Sequence, residues 1–343
     1  MNYRTLGRTG LNVSEVGFGG GGIGSVWGPT TDQDVIRAVH RAIDVGVNFF
    51  DVAPAYGDGK AEALLGQALE GRRDRVIVAT KIQVPPERFD DFRRYTHESL
   101  EASLHRLRTD YVDLLQLHNS ISRTRNAPLP GAMTAADALA IAEVMHDLRR
   151  SGNVRFTGFT AWRAHKQELG ALLDSGMFDT LQTEYNLLNM TAMEPPPPGT
   201  DIMDDTQMEA AGSGHPLSFR YRRVDQGVTI PKAVARQMGI ICIRPYLAGI
   251  LTDALDRPVE PGPMEHLVRY GRALAFVKQP GARTLSQAAL VFCLMNPHLS
   301  TVVPGAKNTA EIEEAAACSG APPLSAGELQ RIMDLYRRNY DAL

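Results

Sequence analysis

Residues 75–117 read RVIVATKIQVPPERFDDFRRYTHESLEASLHRLRTDYVDLLQL. The stretch opens on an apolar run, Arg75–Lys81, and closes on another, Tyr111–Leu117. Near-continuous apolar strands belong to parallel sheets, which are covered on both faces. Between the two runs, Thr96–Leu107 sets Leu100, Leu104 and Leu107 on one helical face. Strand, helix and strand in that order form a crossover unit whose strands are parallel. The same alternation continues outward in both directions. Toward the N-terminus lie a strand at Glu15–Phe18, a helix at Asp32–Val45, a strand at Val47–Asp51 and a helix at Ala61–Leu69. Toward the C-terminus, a helix at Ala135–Arg150 is followed by a strand at Val154–Phe159 and a helix at His165–Asp174. A strand at Asp179–Glu184, a helix at Thr229–Met238 and a strand at Gly239–Arg244 come next, then a helix at Leu285–Met295 and a strand at Ser300–Val303. Eight strands alternating with helices predict the α/β class and a closed (β/α)8 TIM barrel.

Such a barrel takes about 250 residues, and the chain has 343. Residues 1–14 read as an N-terminal β-hairpin cap turning at Arg8-Thr9-Gly10. A Pro-containing loop occupies 119–133, and an extra C-terminal helix covers 325–337. The longest surplus is 189–225, after the sixth strand, with Pro195–Pro198 and the acids Asp201, Asp204 and Asp205. A structureless loop of that length is a lid, a binding loop or disorder, and it is read here as lid-like. Met190, Met193, Met203 and Met208 give it an apolar component suited to a pocket lining or to loop packing. Arg220, Arg222 and Arg223 read as a solvated face. With no internal repeat or composition break, 1–343 is expected to be one domain.

Lys plus Arg number 36 against 39 Asp plus Glu, a net charge of -3. That balance lacks the cationic surplus on which nucleic-acid binding depends. No apolar run approaches the roughly 18 residues of a membrane span, and MNYRTLGRTG has no signal-peptide core. Cys242, Cys293 and Cys318 are too scattered for a disulfide framework or a zinc site, and the histidines lack ligand spacing, so no metal is expected. A cytoplasmic protein acting on a small molecule is the expectation. Gly19, Gly21 and Gly24 match the spacing G-x-G-x-x-G. Trp27, Gly28 and Pro29 follow, so no helix is expected there and the doubly wound dinucleotide fold is set aside.

In a TIM barrel the active site lies at the C-terminal ends of the strands. The second strand ends at Asp51, with Tyr56 five residues on; the third ends at Lys81 and the fourth at His118. A phenol is a weak acid at neutral pH, and an adjacent ammonium acidifies it. Lys81 supplies that cation, Asp51 holds Lys81, and His118 can hydrogen-bond a carbonyl oxygen. The set moves a proton at an oxygen and contains no strong nucleophile, which points to hydride transfer from a nicotinamide rather than acyl transfer.

The sequence resembles the aldo-keto reductase family. The resemblance runs through YRTLGRTGLNVSEVGFGGGGIG, NFFDVAPAYGDGKAEALLGQAL, VIVATK, YVDLLQLH, QTEYN and STVVPGAKN. It implies that Asp51, Tyr56, Lys81 and His118 form the catalytic tetrad, with Tyr56 as general acid/base. It further implies that Tyr185 stacks on the nicotinamide and that Gln182 and Thr160 bind its carboxamide. Ala161 stands where the family often has asparagine. Gly20, Gly21 and Asp51 are implied to approach the cofactor, and YLAGIL, through Tyr246, Leu247, Gly249 and Leu251, to hold the pyrophosphate. Gly305 and Lys307 in VVPGAKN fall at the 2′-phosphate position, while Glu311 replaces a common arginine or glutamine and Ala315 a common asparagine. Lys307 suits a 2′-phosphate and Glu311 a bare hydroxyl; NADP(H) is the favoured cofactor and NAD(H) the alternative. The implied reaction moves a hydride between NADP(H) and an aldehyde, ketone or sugar-like carbonyl or its alcohol. Two alternatives stand beside it: a redox-neutral epimerase or eliminating enzyme with a retained cofactor, and a non-catalytic nucleotide-sensing regulatory subunit.

Overall fold

The computed structural model describes residues 1–24, 30–211, 222–256 and 262–340. Arg220, and Trp27 to Pro29, lie outside the described residues. An N-terminal hairpin pairs β1 (Tyr3–Thr5) with β2 (Asn12–Ser14). Eight parallel strands follow: β3 (Phe18–Gly19), β4 (Phe49–Asp51), β5 (Ile77–Ile82), β6 (Val112–Leu117), β7 (Val154–Thr160), β8 (Thr180–Glu184), β9 (Gly239–Ile243) and β10 (Thr301–Val302). Neighbours in sequence are neighbours in the sheet. The two edges then meet. The Gly17 N–H donates to Val302 O at 2.8 Å and the Gly19 N–H to Pro304 O at 2.9 Å, so the sheet closes into a barrel.

The crossover helices are α1 (Asp32–Asp44), α2 (Lys60–Ala68), α3 (Phe92–Leu107), α4 (Ala135–Arg150), α5 (Lys166–Asp174), α7 (Thr229–Val234), α9 (Leu285–Leu294) and α10 (Thr309–Ala316). α6 (Asp205–Ala211) lies within the insertion, α8 (Glu265–Ala273) between β9 and β10, and α11 (Ala326–Arg337) beyond the last unit. Thr134, Thr284 and Ser325 each open a helix through a reciprocal capping box. α7 stops four residues earlier than its sequence suggests, because Gln237 takes a left-handed φ of 57°.

Strand alternation divides the barrel interior into layers. Phe49, Ile77, Ala79, Leu114, Ile241 and Val303 pack inward on Leu6 and Val13 of the hairpin, which plugs the N-terminal end. Arg4 fastens the plug: its guanidinium meets Glu15 at 2.7 Å and donates to the carbonyls of Leu294, Asn296 and Leu299. Two residues further along the same inward face come Asp51 after Phe49, Lys81 after Ala79 and Gln116 after Leu114. A polar layer thus sits directly on an apolar one.

The insertion departs from its sequence reading. Arg223, expected on a solvated face, is buried. It pairs with Asp201, donates to Asn339 Oδ1 at 2.5 Å and to Leu188 O at 3.1 Å, and lies 5.0 Å from the Tyr270 ring centroid. Tyr270 stacks on Tyr340 at 4.7 Å, and the Tyr340 hydroxyl donates to Leu187 O at 2.8 Å. Residues after α11 therefore hold the insertion down through a buried cation. Met203, Met208 and Val224 form a small cluster with Leu129 of the 119–133 loop; here the methionines pack loop on loop. Arg222 is exposed, as its sequence suggests.

Candidate active site

The polar layer is a connected network. Lys81 Nζ donates to Asp51 Oδ2 at 2.7 Å and to Val52 O at 2.9 Å. Asp51 Oδ1 accepts from Gln116 Nε2 at 2.9 Å and Gln182 Nε2 at 3.1 Å. Lys81 and Asp51 are buried, and such a pair is tolerable only with further hydrogen bonds of this kind. Tyr56 and His118 complete the group. Lys81 Nζ lies 4.9 Å from the Tyr56 ring centroid, and the Tyr56 and His118 rings meet edge-on at 6.1 Å. All four residues read from the strand ends therefore converge. Gln116 was not anticipated, although it lies between Leu114 and His118 on the inward period of β6.

Burial dominates the electrostatics. It lowers the Lys81 ammonium, but Asp51 and Tyr56 together hold that group above its ordinary value. Burial also raises the Tyr56 phenol above 10, and Lys81 pulls it down without cancelling the rise. The net direction is upward, against the expectation of an acidified phenol, although Lys81 acts in the expected sense. His118 is depressed to about 3, by burial and then by Lys81, and its buried Nδ1 has no hydrogen-bond partner. The imidazole is neutral at physiological pH.

Two outcomes follow for His118. The kcat/KM for carbonyl reduction should show no ionisation near 6.5, as a pH profile would reveal. Stability should also respond to acid. Because the folded pKa is depressed, the stabilisation is complete above 6.5 and falls with pH down to about 3 at about 1.4 kcal/mol per pH unit. Urea titrations of wild type and His118→Gln over that window should differ by this slope.

The glycine run after β3 serves close approach. A Cβ on Gly24 would lie 2.5 Å from the Tyr56 carbonyl carbon, and one on Gly20 would lie 2.8 Å from Asp51 O. The chain thus passes directly against the backbone that carries two tetrad members. Gly24→Ala must move the Tyr56 segment. A displacement of that kind should lower kcat by about 10²-fold and, because the obstructing atoms are backbone, lower the thermal midpoint as well, as steady-state kinetics and calorimetry on one preparation would show.

The other expected contacts divide. Gln182 is in the layer, and Thr160 is its register partner on β7. The Tyr185 ring stacks on Phe292 of α9 at 5.4 Å, and its carbonyl accepts from the Cys242 and Cys293 thiols. Leu247, Ala248 and Gly249 form a left-handed run, with φ of 42°, 57° and 93°. A Cβ on Gly249 would meet nothing within 4 Å, which leaves that backbone open to approach. Leu251 is buried. Gly21 and Gly305 are both half-buried, and Gly305 lies beside the barrel seam, where it bridges Gly19. Glu311 acts as a cap: its carboxylate accepts from the Lys307 N–H at 2.8 Å and from Asn308 Nδ2 at 3.1 Å. Tyr246 lies toward the same corner, its phenol raised chiefly by burial and further by the nearby Cys318, Glu314 and Glu311.

The fold is that of a barrel oxidoreductase, with a phenol, an ammonium–carboxylate pair and an imidazole gathered at the strand ends. The chain belongs to the aldo/keto reductase family, whose model matches residues 15–196 and 212–337. It is similar to L-galactose dehydrogenase of Arabidopsis thaliana, 29% identical over 325 residues that cover 92% of this chain and 86% of the relative. The fold is similar to that of an aldo-keto reductase from Bacillus halodurans in its holo form, with a TM-score of 0.71 and 24% identity over 98% of this chain and 96% of the other. An aldo-keto reductase from Klebsiella pneumoniae in complex with NADPH also matches, with a TM-score of 0.66 and 20% identity over the same shares. No helix among the described residues is long and apolar enough to cross a membrane.

Proposed function

We propose that the chain reduces a carbonyl substrate with NADPH, and oxidises the alcohol in reverse, with Tyr56 as the general acid/base. The observation that carries this reading is the Lys81–Asp51 pair beside Tyr56, fixed by two amides and set on the apolar plug. NADPH, when bound, supplies the hydride. Tyr56 donates its proton to the carbonyl oxygen as that oxygen gains charge. Lys81 stabilises the resulting phenolate, Asp51 holds Lys81 in position, and the neutral His118 offers a hydrogen bond that orients the oxygen.

The residues fit a phosphorylated dinucleotide. The open backbone at Gly249 admits a pyrophosphate, Gln182 and Thr160 flank the carboxamide position, and Lys307 offers a cation. Glu311 is turned to the Lys307 backbone, which removes the strongest argument for a bare 2′-hydroxyl. The NADPH-bound Klebsiella structure supports the same choice, and the Arabidopsis relative supports a sugar-like hydroxy-carbonyl substrate. Titration of intrinsic fluorescence with NADPH and NADH, followed by aldehydes and aldoses with absorbance read at the reduced-nicotinamide band, tests the reading. Tight NADPH binding with net consumption is expected. Binding without net consumption would point to a retained cofactor or a sensing subunit.

A further inference from the structure

We infer that Gln116 is a positioning residue for the proton transfer, holding Asp51 so that Lys81 stays aimed at the Tyr56 oxygen; this rests on the carbonyl-reducing role proposed above. Gln116 is the register partner of Lys81 on the adjacent strand. The two side chains reach the two oxygens of one carboxylate: Lys81 Nζ donates to Asp51 Oδ2 at 2.7 Å and Gln116 Nε2 to Oδ1 at 2.9 Å. Both are fully buried. Gly158, the register partner of Gln116 on β7, makes room for its stem, since a Cβ there would lie 3.3 Å from Gln116 Cγ.

An ammonium has three donors, and those of Lys81 go to Asp51, Val52 and Tyr56. A carboxylate free to turn would carry the ammonium with it and swing the third donor off the phenol. Gln116 prevents that turn, and it does so at a cost in stability. A carboxylate only accepts, so the amide nitrogen faces it. Oε1 is then left buried, with no hydrogen-bond partner among the described residues. The layer beneath is apolar, with Leu114 two residues back on the same face. An aliphatic side chain in place of Gln116 would fill the barrel without orphaning an oxygen, so packing alone does not call for the amide. The other amide on Oδ1 is Gln182, at 3.1 Å, which also flanks the proposed carboxamide position. Gln116 is therefore the donor that stays with Asp51 when nucleotide binds.

The test compares wild type, Gln116→Met and Gln116→Glu as full-length protein with NADP(H), using benzaldehyde and benzyl alcohol as probes. Gln116→Met removes the donor and keeps the length. Its kcat should fall at least about tenfold, with benzaldehyde KM and NADPH affinity within about twofold of wild type. Its thermal midpoint should stay within about 3 °C, because the orphaned oxygen leaves together with the donor. The ascending limb of benzyl alcohol oxidation should move about one pH unit upward, since Lys81 lowers the phenol and Asp51 raises it. Gln116→Glu offers an O–H in place of the N–H. Asp51 keeps that carboxyl protonated at about pH 6, so kcat there should return to within about threefold of wild type. An unshifted limb in Gln116→Met overturns the proposal. So does an NADPH affinity that weakens as much as kcat falls, which would assign the amide to the nucleotide. If the methionine chain does not fold, Gln116→Glu decides, and a larger deficit than that at the same pH overturns the proposal. A wild type that consumes no NADPH with any aldehyde or aldose would sink the reductase reading itself, whereas normal turnover with an unshifted limb sinks only the role given to Gln116.

Discussion

Tyr56→Phe is expected to lower kcat by about 10²- to 10⁴-fold and to leave NADPH affinity intact. The substitution removes one oxygen and keeps the ring that faces His118 edge-on. It deletes the proposed proton donor and the Tyr56 hydrogen bond to Lys81, and Lys81 keeps its hydrogen bonds to Asp51 and Val52. Single-turnover measurement of nicotinamide oxidation in the presence of a turned-over aldehyde separates chemistry from release. If the variant kept wild-type turnover, some other group would be delivering the proton. Recovery of oxidation at high pH would be equally informative. The wild-type phenol lies above its ordinary range, so alcohol oxidation should rise with pH in the wild type and lose that dependence in the variant.

Arg223→Met is expected to destabilise the fold substantially. The guanidinium is buried and bonded to Asp201, Asn339 and the Leu188 carbonyl, with two tyrosine rings against it. Its removal leaves the Leu188 carbonyl and the Asp201 carboxylate short of a donor. Breaking a buried pair from one side costs about 3 kcal/mol. Asp201 is 32% exposed and can recover some hydration, which keeps the expectation at the lower end. Urea unfolding reads the loss directly. A midpoint within error of wild type would mean that the contacts seen around Arg223 contribute nothing net.

Much of the barrel and of its acid–base centre could be read without coordinates, and the reason is periodicity. The strands are buried on both faces, so they stand out as apolar runs, and their last inward residues carry the chemistry. The same rule, carried one step further, finds Gln116, whereas Tyr185 lies just past the end of β8, where strand alternation no longer fixes a side chain's direction. Arg223 was illegible for another reason. Among Arg220, Arg222 and Arg223 nothing local marks which cation turns inward. Its partners, Asp201, Tyr270, Asn339 and Tyr340, are scattered along the chain. α10 escaped notice because only Ile312 and Ala315 of it are buried, too few to make an apolar stripe. The phenol was misjudged because the sequence names its charged neighbours but says nothing of how deeply the site is buried.

The way the insertion is held has a consequence for biosynthesis. Arg223 and Asn339 are 116 residues apart, and Leu187 and Tyr340 are 153 apart. A ribosome emits the chain from the N-terminal end. The barrel wall up to β8 is therefore translated long before the tyrosines that tie this rim in place. The nascent protein carries Asp51, Tyr56, Lys81 and His118 early and acquires the residues that fasten the insertion last, so a prematurely stopped polypeptide would hold those four side chains without the ties to Asn339 and Tyr340.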